Sequence, residues 1–294
     1  MNNVLKTKFE EIKNNNPEMS LDEVLYAVYD SVKDEYKESF GDLKKKIILA
    51  NGIDEIEYYT RNVDPKLKMF INEVVFPNYG ENDKGHGMGH IIEVIRRSFA
   101  LNETKKLGLN DNMMYAIAAC HDWGKYKETK EKTHNIIAAE NFMAEERFKA
   151  FFNDDERLII KEAIEDHKSS VKTEIRSVYG KLVSSADRNT TIDMVFIRSF
   201  FVAHVKSPDK VIEDYLDATI DRLSKRYSTD DSENENMFFN DEIYDEFLKE
   251  MRDLLSRPDD FKKRYCEVNF ITSRELTVDD FPGVLEFAEV KMIK

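Results

Sequence analysis

The chain has 294 residues, enough for one large core or two modest ones. Its 44 basic and 58 acidic side chains leave a net charge of -14 with no long Lys/Arg block to offset it. Non-specific binding to nucleic acid or to an anionic membrane surface is therefore disfavoured, though a local basic pocket for a small phosphate ester is compatible with this balance. Two cysteines, Cys120 and Cys266, without CxxC spacing indicate neither a disulfide framework nor a thiolate zinc site. No apolar run approaches the roughly 18 residues needed to span a bilayer, and MNNVLKTKFEEIK lacks a signal-peptide core. The expected setting is a reducing cytoplasm, with no membrane partner.

Ten glycines and six prolines, with abundant Glu, Lys, Leu and Ile, favour helices over a sandwich or barrel, so the expected class is all-α. Residues 1–80 read as a helical N-terminal segment. Within it Ser20 and Glu23 have capping-box spacing ahead of an amphipathic stretch, and PKLKMFINEVVF starts a helix at Pro65. Residues 81–225 form the expected central domain, whose helices are more apolar and which holds all six histidines. Residues 226–242 are polar and acidic, as in a loop or linker. The helix EIYDEFLKEMRDLL opens a C-terminal extension, 243–294, expected to pack on the central domain. VNFIT and VLEFAEVKMI within it have the composition of extended segments.

The histidines fall in short motifs: His86 and His90 in GHGMGHIIEVIRRS, His121 in AACHDWGK, His134 in THNIIAAENF, His167 in AIEDHKSS and His204 in FFVAHVKS. SSADRNT adds Asp187. Most close or open an apolar run, where an uncompensated imidazole or carboxylate costs roughly 2 to 7 kcal/mol. A divalent ion removes that cost, because neutral imidazole and ionised carboxylate suit Mn, Fe, Zn, Co or Ni. The order H, HD, H, H, D resembles the HD-domain superfamily, a helical fold dominated by metal-dependent phosphohydrolases. AACHDWGK is similar to that family's AALLHDIGK, HNIIAAE to its HxxxGA, AIEDHKSS to its IxxHxxS and LVSSADRNT to its LxxADRLD. Two departures are Ala138-Ala139 in place of GA and Trp123 in place of an aliphatic residue.

The resemblance implies an HD-domain helical bundle, with His90, His121, Asp122 and Asp187 as metal ligands. It implies His134 and His167 as ligands of a second ion or as substrate contacts, and Lys125 beside the substrate phosphate. The implied activity is hydrolysis of a nucleotide or other small phosphate ester by metal-activated water, with one or two ions. Asp122 would bridge two ions, and His86, at the pocket rim, would protonate the leaving oxygen. Two other functions share these ligands: a di-iron oxygenase of the same fold, and a nucleotide-binding regulatory module with little turnover. The spacing of His86 and His90 does not make a zinc protease, since Gly87 stands where that motif needs Glu. Gly85, Gly87 and Gly89 lack the strand and the GK[ST] of a nucleotide-binding turn, and are expected to loop into the first core helix. His204 and Cys120 read as core residues. Arg96, Arg97 and Arg188 either meet an anionic substrate or pair with acids.

Overall fold

The computed structural model describes residues 2–38, 40–82, 86–129, 132–168, 174–188, 190–206, 212–227, 238–239 and 241–269, and every regular element among them is helical. The first three helices, α1 (Asn2–Asn15), α2 (Leu21–Tyr36) and α3 (Phe40–Ala50), bury one apolar stripe each. Leu5, Leu25, Val28, Leu43 and Ile47 form a fully buried core between them. The capping box forms as expected: Ser20 Oγ accepts from Glu23 N–H, and the Glu23 carboxylate accepts from Ser20 N–H at 2.8 Å. The short α4 (Glu55–Tyr59) follows, N-capped by Asp54.

α5 (Pro65–Val74) starts at the expected proline, behind the N-cap Asp64. Val63, Leu67, Ile71, Val75 and Tyr79 recur every fourth residue, and all five are buried in the core of the next unit. That unit continues with α6 (Met88–Thr104), α7 (Asp111–Cys120), α8 (His134–Ala144), α9 (Asp154–Asp166) and α10 (Val178–Ala186). α7 is buried at every position from Met113 to Cys120, as a helix apolar on all sides must be. Its N-terminus is capped by Asn110, whose side chain accepts from Met113 N–H at 3.1 Å.

The third cluster joins α11 (Ile192–Lys206), α12 (Ile212–Arg226), α13 (Glu242–Leu255) and α14 (Pro258–Val268) around Phe196, Met251, Phe261 and Tyr265. The cores therefore do not follow the expected divisions at 80 and 225. The fourfold stripe from Val63 carries the central core upstream of 81, and α11 and α12 share their apolar faces with α13 and α14. Val268 closes α14, so the start of VNFIT is helical where an extended segment was expected. The remainder of VNFIT, VLEFAEVKMI and residues 228–237 of the polar stretch lie outside the described residues, as does the side chain of His204, a residue of α11.

One buried ion pair ties the central unit to the third. Arg97 of α6 donates to the Asp241 carboxylate at 2.5 Å and to the backbone carbonyl of Arg188 at 2.7 Å. Asp241 is also the N-cap of α13. Removing one partner of such a pair strands the other charge in a dry environment, which typically costs about 3 to 5 kcal/mol. Asp241→Ala is expected to lower the unfolding free energy by about 3 kcal/mol, read by urea denaturation, with Asp241→Asn intermediate. A loss below about 1 kcal/mol, the range of an exposed pair, would show that Arg97 finds other compensation.

Candidate metal centre

The helix α7 ends among carbonyls that need donors, since the last turn of a helix leaves its C=O groups without intrahelical partners. Ala119 O accepts from Tyr79 Oη at 2.7 Å and Cys120 O from Trp123 N–H at 3.0 Å. Ala118 O lies 2.8 Å from Nδ1 of His121, the C-cap residue. A carbonyl only accepts, so Nδ1 carries the imidazole proton and Nε2 presents a lone pair. The turn that follows is pinned from three sides. Asn82 Nδ2 donates to Asp122 O at 3.1 Å, Asn141 Nδ2 to Trp123 O at 2.9 Å, and Lys125 N–H to Asp122 O at 3.1 Å. Gly124 sits at φ +90°, and a Cβ there would lie 2.6 Å from Asn141 Nδ2, so both backbone and space require glycine.

α9 repeats the device: its C-cap His167 places Nδ1 2.6 Å from Ile164 O, again leaving Nε2 as an acceptor. His134, the first residue of α8, has Nδ1 2.9 Å from Glu128 Oε1 and 3.3 Å from Lys125 Nζ. Donation to the carboxylate gives it the same tautomer. Asp187 is the C-cap of α10, and His90 lies in the first turn of α6 behind the N-cap Gly87. The expected glycine loop is shorter than the sequence implied, because Gly89 is already helical; Gly85 lies outside the described residues.

These elements bring six of the predicted residues together around the Asp122 carboxylate, which is 2% exposed. Oδ2 faces Nε2 of His90 at 3.7 Å and of His121 at 3.6 Å. Oδ1 faces Nε2 of His134 at 3.6 Å and of His167 at 3.8 Å, with Lys125 Nζ at 4.0 Å. Asp187 Oδ1 lies 2.9 Å from His90 Nε2 and 3.8 Å from His121 Nε2. Asp122 Oδ1 is buried without a hydrogen-bond partner. A carboxylate oxygen ringed by imidazole lone pairs is an electrostatic arrangement that a divalent cation completes. Among the described residues two triads have donor atoms close enough to hold one, His90 with His121 and Asp187, and His121 with Asp122 and His167. The residues present thus fit a metal ion.

Electrostatics point the same way. Desolvation lowers the imidazole of His90 to about 4 and that of His167 to about 3, and it lowers His134 as well, so all three are uncharged near neutrality, as metal ligation requires. Burial opposes ionisation of Asp122, but the neighbouring His121 and Lys125 outweigh it and hold the carboxyl well below its usual range. Asp187 is held low against burial by the hydrogen bond from His90. Burial pushes the Cys120 thiol up, consistent with the expected core role.

His90 differs from the other imidazoles. Arg198 Nη2 lies 3.1 Å from its Nδ1. A guanidinium only donates, so Nδ1 accepts and the proton sits on Nε2, directed at Asp187. Asp187, with its side chain 29% exposed, opens the centre onto a cleft of about 830 Å³. The cleft is lined from α3 and α4 by Leu49 and Glu55, and from the segment after α10 by Arg188, Met194 and Arg198. His86 stands beside the centre, its ring 5.7 Å from that of His90.

Of the three arginines left open, two pair with acids. Arg97 meets Asp241, and Arg96 binds Glu93 and Glu55 at 2.5 and 3.2 Å. The guanidinium of Arg188 lies over the Tyr244 ring at 5.1 Å. Ala138 and Ala139 are fully buried, and Trp123 packs into the central core. Sequence reasoning missed Glu128, Asn82 and Arg198. Glu128 is hidden in the charged run KYKETKEK and Asn82 in a polar loop, whereas Arg198, a single cation in the apolar run VFIRSFF, carried a signal.

Residues 87–192 match the family model of the HD domain. No curated protein and no solved structure matches the chain. The matched segment runs from the N-cap of α6 to the first residue of α11 and contains His90, His121, Asp122, His134, His167 and Asp187. Residues 87–192, a segment built of helices α6 to α10, thus form a domain of the HD family.

Proposed function

We propose that the protein is a metal-dependent phosphohydrolase acting on a nucleotide or other small phosphate ester. The observation that carries this reading is the buried Asp122 carboxylate, its two oxygens turned to separate pairs of imidazoles, with the Lys125 ammonium 4.0 Å away. His90, His121, Asp122 and Asp187 would hold a first divalent ion, drawn from Mn, Fe, Zn, Co or Ni, and His134 and His167 a second. Bound there, such an ion supplies an activated water and a Lewis acid for the phosphoryl oxygen.

The chain's own groups account for the rest. Ala118 O and Ile164 O fix the tautomers of His121 and His167, so neither ring must turn or lose a proton to act as a ligand. Glu128 does the same for His134, and its own carboxyl is lowered to about 2: burial opposes ionisation, but the hydrogen bond to His134 prevails. Lys125 Nζ, largely buried between His134 and Asp122, is placed to neutralise charge on the substrate phosphate. His86, on the outer side of His90, is placed to protonate the leaving oxygen.

Asp122→Asn preserves shape and removes the charge shared by both halves of the centre. It is expected to cut metal occupancy, read by elemental analysis, and phosphate release by roughly 100-fold or more, with circular dichroism unchanged. Glu128→Gln should cost less, about 10- to 100-fold in metal affinity. Wild-type turnover by Asp122→Asn would sink the assignment. Phosphate release from a panel of phosphate esters should survive removal of oxygen and replacement of iron by zinc; product formed only with iron and air would identify a di-iron oxygenase instead.

The pH dependence follows from imidazoles whose pKa lies below the ordinary 6.5. Protons compete for His90 and His167 only as the pH falls toward 4 and 3, so bound metal should be retained at pH 5 and released between about 4 and 3. Without metal the sign for stability is also fixed. It is fully present above pH 6.5 and declines as the pH falls toward 4, because the unfolded chain takes up protons that the buried rings refuse. Dialysis against buffers of stepped pH, with metal counted at each, tests this; complete release by pH 6 would contradict it.

A further inference from the structure

The half-buried side chain of Asn82 touches three separate stretches of main chain. Its Nδ2 donates to His86 O and to Asp122 O, each at 3.1 Å, and its Oδ1 accepts from Tyr126 N–H at 3.0 Å. Carbonyls only accept and a backbone N–H only donates, so these partners fix which way the side-chain amide faces. Both Nδ2 hydrogens and a lone pair of Oδ1 are thereby used. An aspartate of the same shape has no donor to offer the two carbonyls. The three partners belong to His86 itself, to the residue whose carboxylate stands at the middle of the centre, and to the residue after Lys125.

Asn82 is in turn held from the core. It ends the turn Phe76–Glu81 with its N–H donating to Tyr79 O at 3.3 Å, and the buried Tyr79 donates through Oη to Ala119 O at 2.7 Å. Tyr79 and Asn82 thus meet carbonyls 119 and 122, one in the last turn of α7 and the other just beyond it, where helix carbonyls lack intrahelical donors. Both residues precede residue 87, so this grip reaches the HD segment from upstream.

We propose that Asn82 is a positioning residue, which holds the main chain at residue 86 against the Asp122 turn and so sets where the His86 imidazole stands beside the centre. That ring has interactions of its own and lies 5.7 Å from the ring of His90; the clamp acts on the peptide beneath it. Lys125 is tied to the same carbonyl, because its N–H also donates to Asp122 O, and the next N–H along binds Asn82 directly. One amide therefore fixes the main chain under His86 and under Lys125 relative to Asp122. A shift of about 1 Å in a group that must meet a reacting atom costs on the order of 100-fold in rate. The consequence for chemistry rests on the phosphohydrolase reading, in which His86 protonates the leaving oxygen; the clamp itself does not.

Two measurements on the full chain test this. In protein with ¹³C-labelled histidine rings, the His86 signal, assigned by its loss in His86→Gln, should lose order in Asn82→Ala. Its order parameter should fall below about 0.6 while that of His121 stays near about 0.85, the values of a mobile and a rigid group. The second measurement compares two esters with zinc in excess: adenosine 5′-monophosphate, whose alkoxide needs a proton to leave, and 4-nitrophenyl phosphate, whose phenolate does not. Asn82→Ala should lower kcat about 100-fold for the first and less than about fivefold for the second. This ratio within one preparation is indifferent to any unfolded fraction. Asn82→Asp keeps an acceptor for Tyr126 N–H and removes both donors, so its ratio should follow that of Asn82→Ala. Tyr79→Phe removes the neighbouring hydrogen bond to α7 without touching residue 86, and should leave both the ratio and the His86 order parameter as in the wild type. An unchanged His86 order parameter in Asn82→Ala, equal losses for the two esters, a wild-type ratio in Asn82→Asp, or the same change of ratio in Tyr79→Phe would mean that Asn82 only closes a turn, and each overturns the proposal. If no phosphate ester is cleaved but the His86 ring loosens as described, the hydrolase reading fails and the positioning role stands.

Discussion

An ionised carboxylate buried at the centre of a helical protein must be answered by positive charge or by donors, and Asp122 is answered by neither in full. Its Oδ1 has no hydrogen-bond partner, and the rings that face it offer lone pairs. Replacing the cluster by apolar side chains would be cheaper for folding. What the arrangement supplies is a position at which a cation is favoured from several directions at once. Lys125, at 4.0 Å, moderates the charge without reaching hydrogen-bond distance.

The helices contribute through their ends. His121, Asp187 and His167 are the C-cap residues of α7, α10 and α9, so three helix C-termini converge on one point. Each carries roughly half a negative charge from its aligned peptide dipoles, and together they favour a cation before any side chain is counted. The same carbonyls hold the rings: Ala118 O orients His121 and Ile164 O orients His167. Ligand placement and helix termination are thus one structural event. The buried α7 is the rigid reference, and Gly124, at φ +90°, turns the chain away just after Asp122 so that Lys125 can come back over it.

The helical class and the six residues around Asp122 were legible in the sequence because both leave local marks. Apolar periodicity announces helices such as α5 and α7, and a histidine or aspartate at the end of an apolar run announces a burial cost that needs an explanation. Which apolar stripes share a core was not legible. The stripe from Val63 to Tyr79 has the same fourfold spacing whether it packs against α2 or against α7, and only the fold decides that it joins the central core. Glu128 and Asn82 were hidden for a related reason, since an acid in a charged run and an amide in a polar loop look solvated until tertiary structure turns them inward. Arg198 was the legible omission. A lone arginine between Ile197 and Phe200 on a helix with a buried face carries the same burial argument that was applied to His121.

This division of labour bears on what the flanking segments do. Among the described residues, the atoms close enough to hold a metal come from residues 90 to 187, within the HD segment, but the cleft beside Asp187 is walled in part from outside it. Leu49 and Glu55 come from the N-terminal bundle, and Met194 and Arg198 from α11. The bundle is anchored by ion pairs to α6, Lys44 with Glu103 at 2.6 Å and Arg96 with Glu55 at 3.2 Å. Arg96 and Glu55 both line the cleft, so their pairing offsets two charges on its wall. Packing the N-terminal bundle against α6 thereby sets which charges line the cleft beside the candidate metal centre, and a change confined to residues 44–56 can alter that lining while leaving the six residues around Asp122 in place.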